Sequence, residues 1–260
     1  MENSFISIQN LSKIHTASKK GEKIFTEAIK NFSLDIGRGE FITFFGPNGC
    51  GKTTFLNILA GLANYDDGKV SIDGKLPQEA NIGYIFQQSQ SYLLPWRTNL
   101  KNISFPLEIR GVDKKKSAEI VKELVREFAV DIPWERFPYQ LSGGQQKLLS
   151  IVQAIVSKPD VLLMDEPFVG LDFSTRINIQ EKILDMWQKI RTTILFVSHD
   201  IDEAIFLAKR LILLNKRPTS VAEIIDIPIE YPRDIKVLQT KSFMDIRIKI
   251  LEKVSILLKQ

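Results

Sequence analysis

The stretch FITFFGPNGCGKTTFLNILAGL, Phe41 to Leu62, decides the fold. FITFF reads as a strand buried on both faces, and TTFLNILAGL reads as an apolar helix. Between them Gly46, Gly51, Lys52 and Thr53 fit the spacing G-x-x-x-x-G-K-[ST]. The glycines let the backbone curl until several N–H groups face one anion. Pro47, Asn48, Gly49 and Cys50 complete the cradle, and Thr54 follows it on the helix. Lys52 supplies a flexible point charge for the outer phosphates. Thr53 offers a hydroxyl to Mg2+. Cys50 reads as a small residue whose backbone does the work, because nothing marks its thiol as activated.

Working outward, the same rhythm recurs. KVSID (Lys69–Asp73), IGYIF (Ile82–Phe86), VLLMD (Val161–Asp165) and TILFVS (Thr193–Ser198) are short strand-like runs. VLLM and ILFV are continuously apolar, as in strands of a doubly covered parallel sheet. Helix-length segments lie between them: Thr53–Leu62, Ser117–Phe128, Gln145–Ser157, Thr175–Ile190 and Asp202–Ala208. Strands alternating with helices predict an α/β fold with a mostly parallel sheet. From about Ser89 to Ser157 the rhythm breaks into mostly helical sequence punctuated by Pro95, Pro106, Pro133 and Pro138, which predicts an inserted helical subdomain. Phe243, Ile246, Ile250, Val254 and Leu257 recur near helical spacing, so the tail over 241–259 is expected to be a helix.

Composition narrows the class. The chain has 260 residues and a net charge of only +4, which gives no argument for a nucleic-acid partner. A single cysteine excludes an internal disulfide and suits a reducing cytosol. No leader sequence and no apolar run of membrane-spanning length is visible. A chain of this kind that works at a membrane must be held there by another subunit.

Strand ends carry the remaining candidates. Asp165 and Glu166 close a buried strand, where ligand chemistry gathers in open sheets. Asp165 can bind Mg2+ directly or through water, and Glu166 can polarise an attacking water. Phosphoryl transfer depends mainly on positioning and charge stabilisation, so one oriented carboxylate suffices as base. His199 closes another buried strand in ILFVSHD, where a neutral imidazole can hydrogen-bond a terminal phosphate or the water. Gln87 ends the strand in IFQQ and can reach metal or water through its amide; Gln88 is the competing choice.

A second glycine-rich turn, LSGGQQ (Leu141–Gln146), places a hydroxyl and bare backbone N–H groups at a helix start. Taken in chain order, GPNGCGKTT, FQ, LSGGQQ, LLMDEP, GLD (Gly170–Asp172) and SHD resemble the ATP-binding subunits of ABC transporters over nearly the whole chain. The resemblance implies a P-loop ATPase core with an antiparallel β region. It implies ATP and Mg2+ as cofactors, with Lys52, Gln87, Glu166 and His199 as the catalytic set and Thr53, Gln87 and Asp165 around the metal. It also explains the second turn. By that resemblance two copies should pair head to tail, and Ser142, Gly143, Gly144 and Gln145 of one, with Asp172, should complete the ATP site held by Lys52 of the other. The family's aromatic platform for adenine aligns with His15 in LSKIH, which stays open between platform and exposed loop residue.

Two further stretches, LLPWRTNLKNISFPLE and IDIPIEYPRD…F…R…IL, are similar to those of the nitrate/sulfonate/taurine importer ATPases. That narrower likeness implies uptake of a small anion, an integral-membrane permease as partner, an extracytoplasmic solute-binding protein, and a place at the cytoplasmic face of the membrane. LLPW is expected to help shape the groove for a permease helix. Thiamine-precursor uptake or export is the alternative within the family. A non-transport ATPase fits less well, since tandem cassettes, long coiled coils and zinc motifs are missing. A non-hydrolysing module fits least, since the catalytic set is complete. One departure stands out: the signature helix reads SGGQQKLLSIVQAI where SGGMRQRVALARAL is commoner, so the resemblance does not carry over the contacts of those arginines, whereas it does carry over the Ser-Gly-Gly cap.

Overall fold

The computed structural model describes residues 4–19, 22–128 and 130–259. In chain order its elements are β1 (Ile6–Lys19), β2 (Glu22–Ile36), β3 (Phe41–Phe45), α1 (Lys52–Leu59), β4 (Asp67–Ile72), β5 (Ile82–Ile85), α2 (Asn99–Ile109) and α3 (Lys114–Glu127). Then follow α4 (Gly143–Ile155), β6 (Val161–Asp165), α5 (Phe173–Ile190), β7 (Thr193–Ser198), α6 (Ile201–Leu207), β8 (Arg210–Leu214), β9 (Val221–Asp226) and α7 (Lys241–Lys259). The chain divides into two compact units, one running up to Ala80 and again from Thr193, the other spanning Asn81–Thr192.

The first unit holds two sheets. β1 pairs antiparallel with both β2 and β4. Register shifts between Ile8 and Ile14, with Asn10 at φ 50°, break the simple alternation that would reveal β1 in the sequence. The second sheet runs β7-β3-β8-β9, with β3 parallel to β7 and β8 and with β9 antiparallel at the edge. Every residue of β3 and β7 is buried, which is why both read as unbroken apolar runs. Phe55 of α1 packs against Phe44 of β3 and Phe32 of β2, with ring centroids 5.0 and 4.7 Å apart. Burying such a ring is worth roughly 1.5–3 kcal/mol, and here it pins the start of α1 to the sheet.

The second unit pairs β5 parallel with β6 and adds α2, α3, α4 and α5. α2 contains Pro106, which the sequence reading takes as punctuation. Proline cannot donate to the carbonyl four residues earlier. That carbonyl, Asn102 O, instead accepts from Gln153 Nε2 of α4 at 2.9 Å, so the helix continues through the proline. The buried Asn102 amide also donates to Leu94 O, Arg97 O and Thr98 O, and its Oδ1 accepts from Leu94 N–H at 2.8 Å. Much of LLPWRTNLKN is therefore folded around one side chain.

Candidate functional site

In the first unit, the turn between β3 and α1 closes on itself. Lys52 is buried, and its Nζ donates to Gly46 O at 2.8 Å and Pro47 O at 3.1 Å. A lysine with its charge turned onto its own loop is held ready at the mouth of an anion cradle. Gly51 sits at φ 123°, and a Cβ there would lie 2.8 Å from Thr219 Oγ1 and 3.0 Å from Ala28 O, so no side chain fits. The Thr219 hydroxyl donates to Cys50 O, and the Cys50 side chain is buried. Gly49, at φ 74°, is exposed and faces open space. Thr53 is exposed on the first turn of α1, and Asn48 is exposed on the loop.

His15 lies on β1 rather than in a loop, paired with Thr26. Its exposed ring places Nε2 3.1 Å from Thr54 Oγ1, immediately after the phosphate loop. His199 follows β7 and is exposed, while its neighbours are fixed. Ser198 is buried and donates to Glu203 at 2.7 Å, and Asp200 caps α6 through the Asp202 and Glu203 N–H groups. His199 shares a cavity of about 230 Å³ with Gly46, Pro47, Asn48, Lys216 and the α7 residues Val254 and Leu257.

Sequence reasoning missed what holds α6 behind His199. Arg233, 4% exposed, donates through Nη1 to Ile205 O, Phe206 O and Ala208 O, capping the last turn of α6. Tyr231 donates to Leu207 O at 2.7 Å, and Arg247 of α7 pairs with Asp202. The stretch IEYPRD and the later arginine are therefore a clamp on α6. Their sequence signal was visible, but only as a likeness without a mechanism.

In the second unit, Asp165 ends β6 and is 4% exposed. Desolvation and then the Asp165 charge push the nearby Tyr84 phenol well above its ordinary range. Glu166 follows at φ 43°, a left-handed conformation uncommon for a side chain of this size. Gln87 Nε2 donates to Glu166 Oε2 at 3.3 Å, so the first glutamine of IFQQ is the one brought to the carboxylate. Asp172 is the N-cap of α5. Its carboxyl is held well below the usual range, first by the Thr175 N–H and then by the Ser174 hydroxyl.

The second glycine turn is a capping box. Ser142 Oγ accepts from Gln145 N–H, and Gln145 Oε1 accepts from Ser142 N–H at 3.1 Å. Ser142 and Gly143 are exposed. With its oxygen used as acceptor, the Ser142 hydroxyl retains a proton to donate outward. Gly144 has no room for a Cβ, which would sit 2.5 Å from Thr175 Cγ2. Lys147, one turn on, is 1% exposed, and burial pushes its ammonium down to about 8.

The donor set suits a nucleotide and Mg2+. In the first unit Gly49 offers the open backbone of an anion cradle, Lys52 a cation and Thr53 a hydroxyl; in the second unit Asp165 offers a carboxylate at a strand end. No group of three or more His, Cys, Asp or Glu forms an all-protein cage among the described residues. Mg2+ bound to such a set takes most of its ligands from phosphate and water.

Comparison with known proteins agrees. Residues 29–169 match the family model for ABC transporters. An uncharacterised ABC transporter ATP-binding protein of Methanocaldococcus jannaschii is 40% identical over 248 residues, covering 95% of this chain and 90% of the relative. An aliphatic sulfonates import ATP-binding protein of Bacillus cereus is 36% identical over 249 residues, covering 95% and 94%. A dimeric ATP-binding cassette solved in a post-hydrolysis state with ADP and Pi superposes with a TM-score of 0.74 at 28% identity, over 86% of this chain and all of that one. The chain belongs to the ABC transporter ATP-binding proteins, whose ATPase cassettes hydrolyse ATP to drive transport.

Proposed function

We propose that this chain is the energy-coupling subunit of an importer for a small anion of the sulfonate, taurine or nitrate kind. The observation that carries the reading is the pairing of a closed phosphate loop with an exposed, uncharged capping box at Ser142. Such a box has no cation of its own, so it serves best as the cover of a phosphate held by a second copy. Two chains would then pair head to tail; the ATP-binding cassette to which this one is similar is dimeric.

In that arrangement the phosphate-loop backbone from Gly46 to Thr54 and Lys52 hold the β- and γ-phosphates. The helix start at Ser142, Gly143, Gly144 and Gln145 of the partner chain donates to the γ-phosphate. The Asp172 carboxylate holds the start of α5 in place. Thr53, Asp165 and the Gln87 amide would hold Mg2+, which supplies charge neutralisation for the leaving phosphate. Glu166 takes the proton from the attacking water, Gln87 orients the Glu166 carboxylate, and His199 donates to the transferring group. The His15 ring faces the adenine.

No described helix is long and apolar enough to cross a membrane. In the importer reading, which the likeness to an import ATP-binding protein supports, a permease would hold the cassette at the cytoplasmic face. We take its seat to be on the second unit. A cavity of about 310 Å³ is lined by Tyr84, Phe86, Tyr92, Phe105 and Ile109, and Trp96 nearby in sequence is 73% exposed. An extracytoplasmic binding protein would select the solute. The 36% identity to an aliphatic sulfonates import protein supports an anionic solute.

The test is uptake. Cells lacking this gene should lose uptake of labelled alkyl sulfonate, taurine or nitrate. Wild-type chain should restore it, and Glu166→Gln should not. Unchanged uptake of all three in the deletion strain would overturn the importer reading.

A further inference from the structure

Lys147 takes no part in the phosphate chemistry above, yet it is 1% exposed in the second turn of α4. Burying an ammonium is expensive unless hydrogen bonds replace its water. Its Nζ donates to the backbone carbonyl of Gln87 at 3.4 Å. In the opposite direction Gln90 Nε2 donates to Gly143 O at 3.3 Å. Two side-chain bonds therefore tie the segment 87–90 to the opening turns of α4, one from each side. The segment is also braced by aromatic stacking. Phe86 lies between Tyr84 and Tyr92, with ring centroids 4.0 and 4.3 Å away. The free end of this assembly is the Gln87 side chain, which reaches Glu166.

We propose that Lys147 is a positioning residue for ATP hydrolysis. By holding the Gln87 carbonyl it sets the Gln87 amide against Glu166, and it ties that placement to the helix that begins at Ser142. Movement of the signature turn is thereby passed to the residue that orients the base. The inference rests on the reading of Gln87 and Glu166 given above.

A double-mutant cycle on the purified full chain tests it. Lys147→Met keeps the length and apolar stem but removes the donor. It should lower kcat for ATP hydrolysis about tenfold, since small misplacements of catalytic groups cost at least that much. KM for ATP and the melting temperature should stay near wild type. Lys147→Gln, which retains a donor, should recover part of the loss and replaces the Met variant should that fail to fold. In a Gln87→Ala background the amide is gone, so Lys147→Met should have no further effect. Equal losses in both backgrounds, or no loss in wild type, would overturn the positioning role. A Gln87→Ala chain with wild-type kcat would instead defeat the underlying reading of Gln87.

Discussion

Gly51 and Gly144 both sit where a helix begins, and neither leaves room for a methyl group. At Gly51 the obstruction is the Thr219 hydroxyl and a strand carbonyl; at Gly144 it is the Thr175 methyl. Around them the two turns differ in every electrostatic respect. The turn at Gly51 carries its own buried cation, folded onto the carbonyls of Gly46 and Pro47. The capping box at Gly144 contains no cation, Lys147 one turn on being buried against the Gln87 carbonyl, and Ser142 and Gly143 are exposed at a capped helix start. A helix start without a cation attracts an anion with roughly half a unit charge, which is weak in water and stronger once water is excluded. On the proposed reading the contrast means that one turn binds phosphate with its own cation, whereas the other acts only when a second molecule buries it.

The largest effect should come from breaking the self-sufficient turn. On the proposed reading, Lys52→Ala removes the charge that stabilises both bound ATP and the transition state. Hydrolysis should fall to background, with kcat/KM down more than about 10³-fold, and fluorescent ATP analogues should bind weakly. Wild-type turnover by purified Lys52→Ala protein would contradict the role of this loop. The smallest effect should come from the rim. His15→Ala deletes one side-chain hydrogen bond to Thr54 and one ring, and a single such contact is worth about 1 kcal/mol. KM for ATP should rise about fivefold with kcat unchanged, and His15→Trp should restore it. An unchanged KM would remove His15 from the nucleotide site.

What was legible in the sequence follows from the same physics. β3, β6 and β7 read off to the residue because strands covered on both faces are continuously apolar and end at turn or charged residues. The phosphate loop and the capping box were legible because their chemistry is local. α2 was not, because Pro106 ends most helices and only the distant Gln153 supplies the compensating donor. β1 was hidden by its register shifts. The link from Lys147 to Gln87 joins residues sixty positions apart, and an apolar-looking helix face gave no sign that a buried lysine served the segment 87–90. Local chemistry is readable in one dimension; contacts that repair or brace it are not.

The central claim is that the turn at Ser142 acts only on ATP held by another copy. The most direct measurement is the mass of Glu166→Gln protein by light scattering, with and without Mg-ATP, alone and combined with Ser142→Arg. Glutamine keeps the shape of Glu166 but accepts no proton, and losing a general base costs about 10²–10⁴-fold, so ATP should persist. Glu166→Gln should double in mass only with ATP. Glu166→Gln/Ser142→Arg should bind ATP equally well and remain a monomer. An ATP-dependent dimer of the double variant, or full hydrolysis by Ser142→Arg alone, would contradict the account.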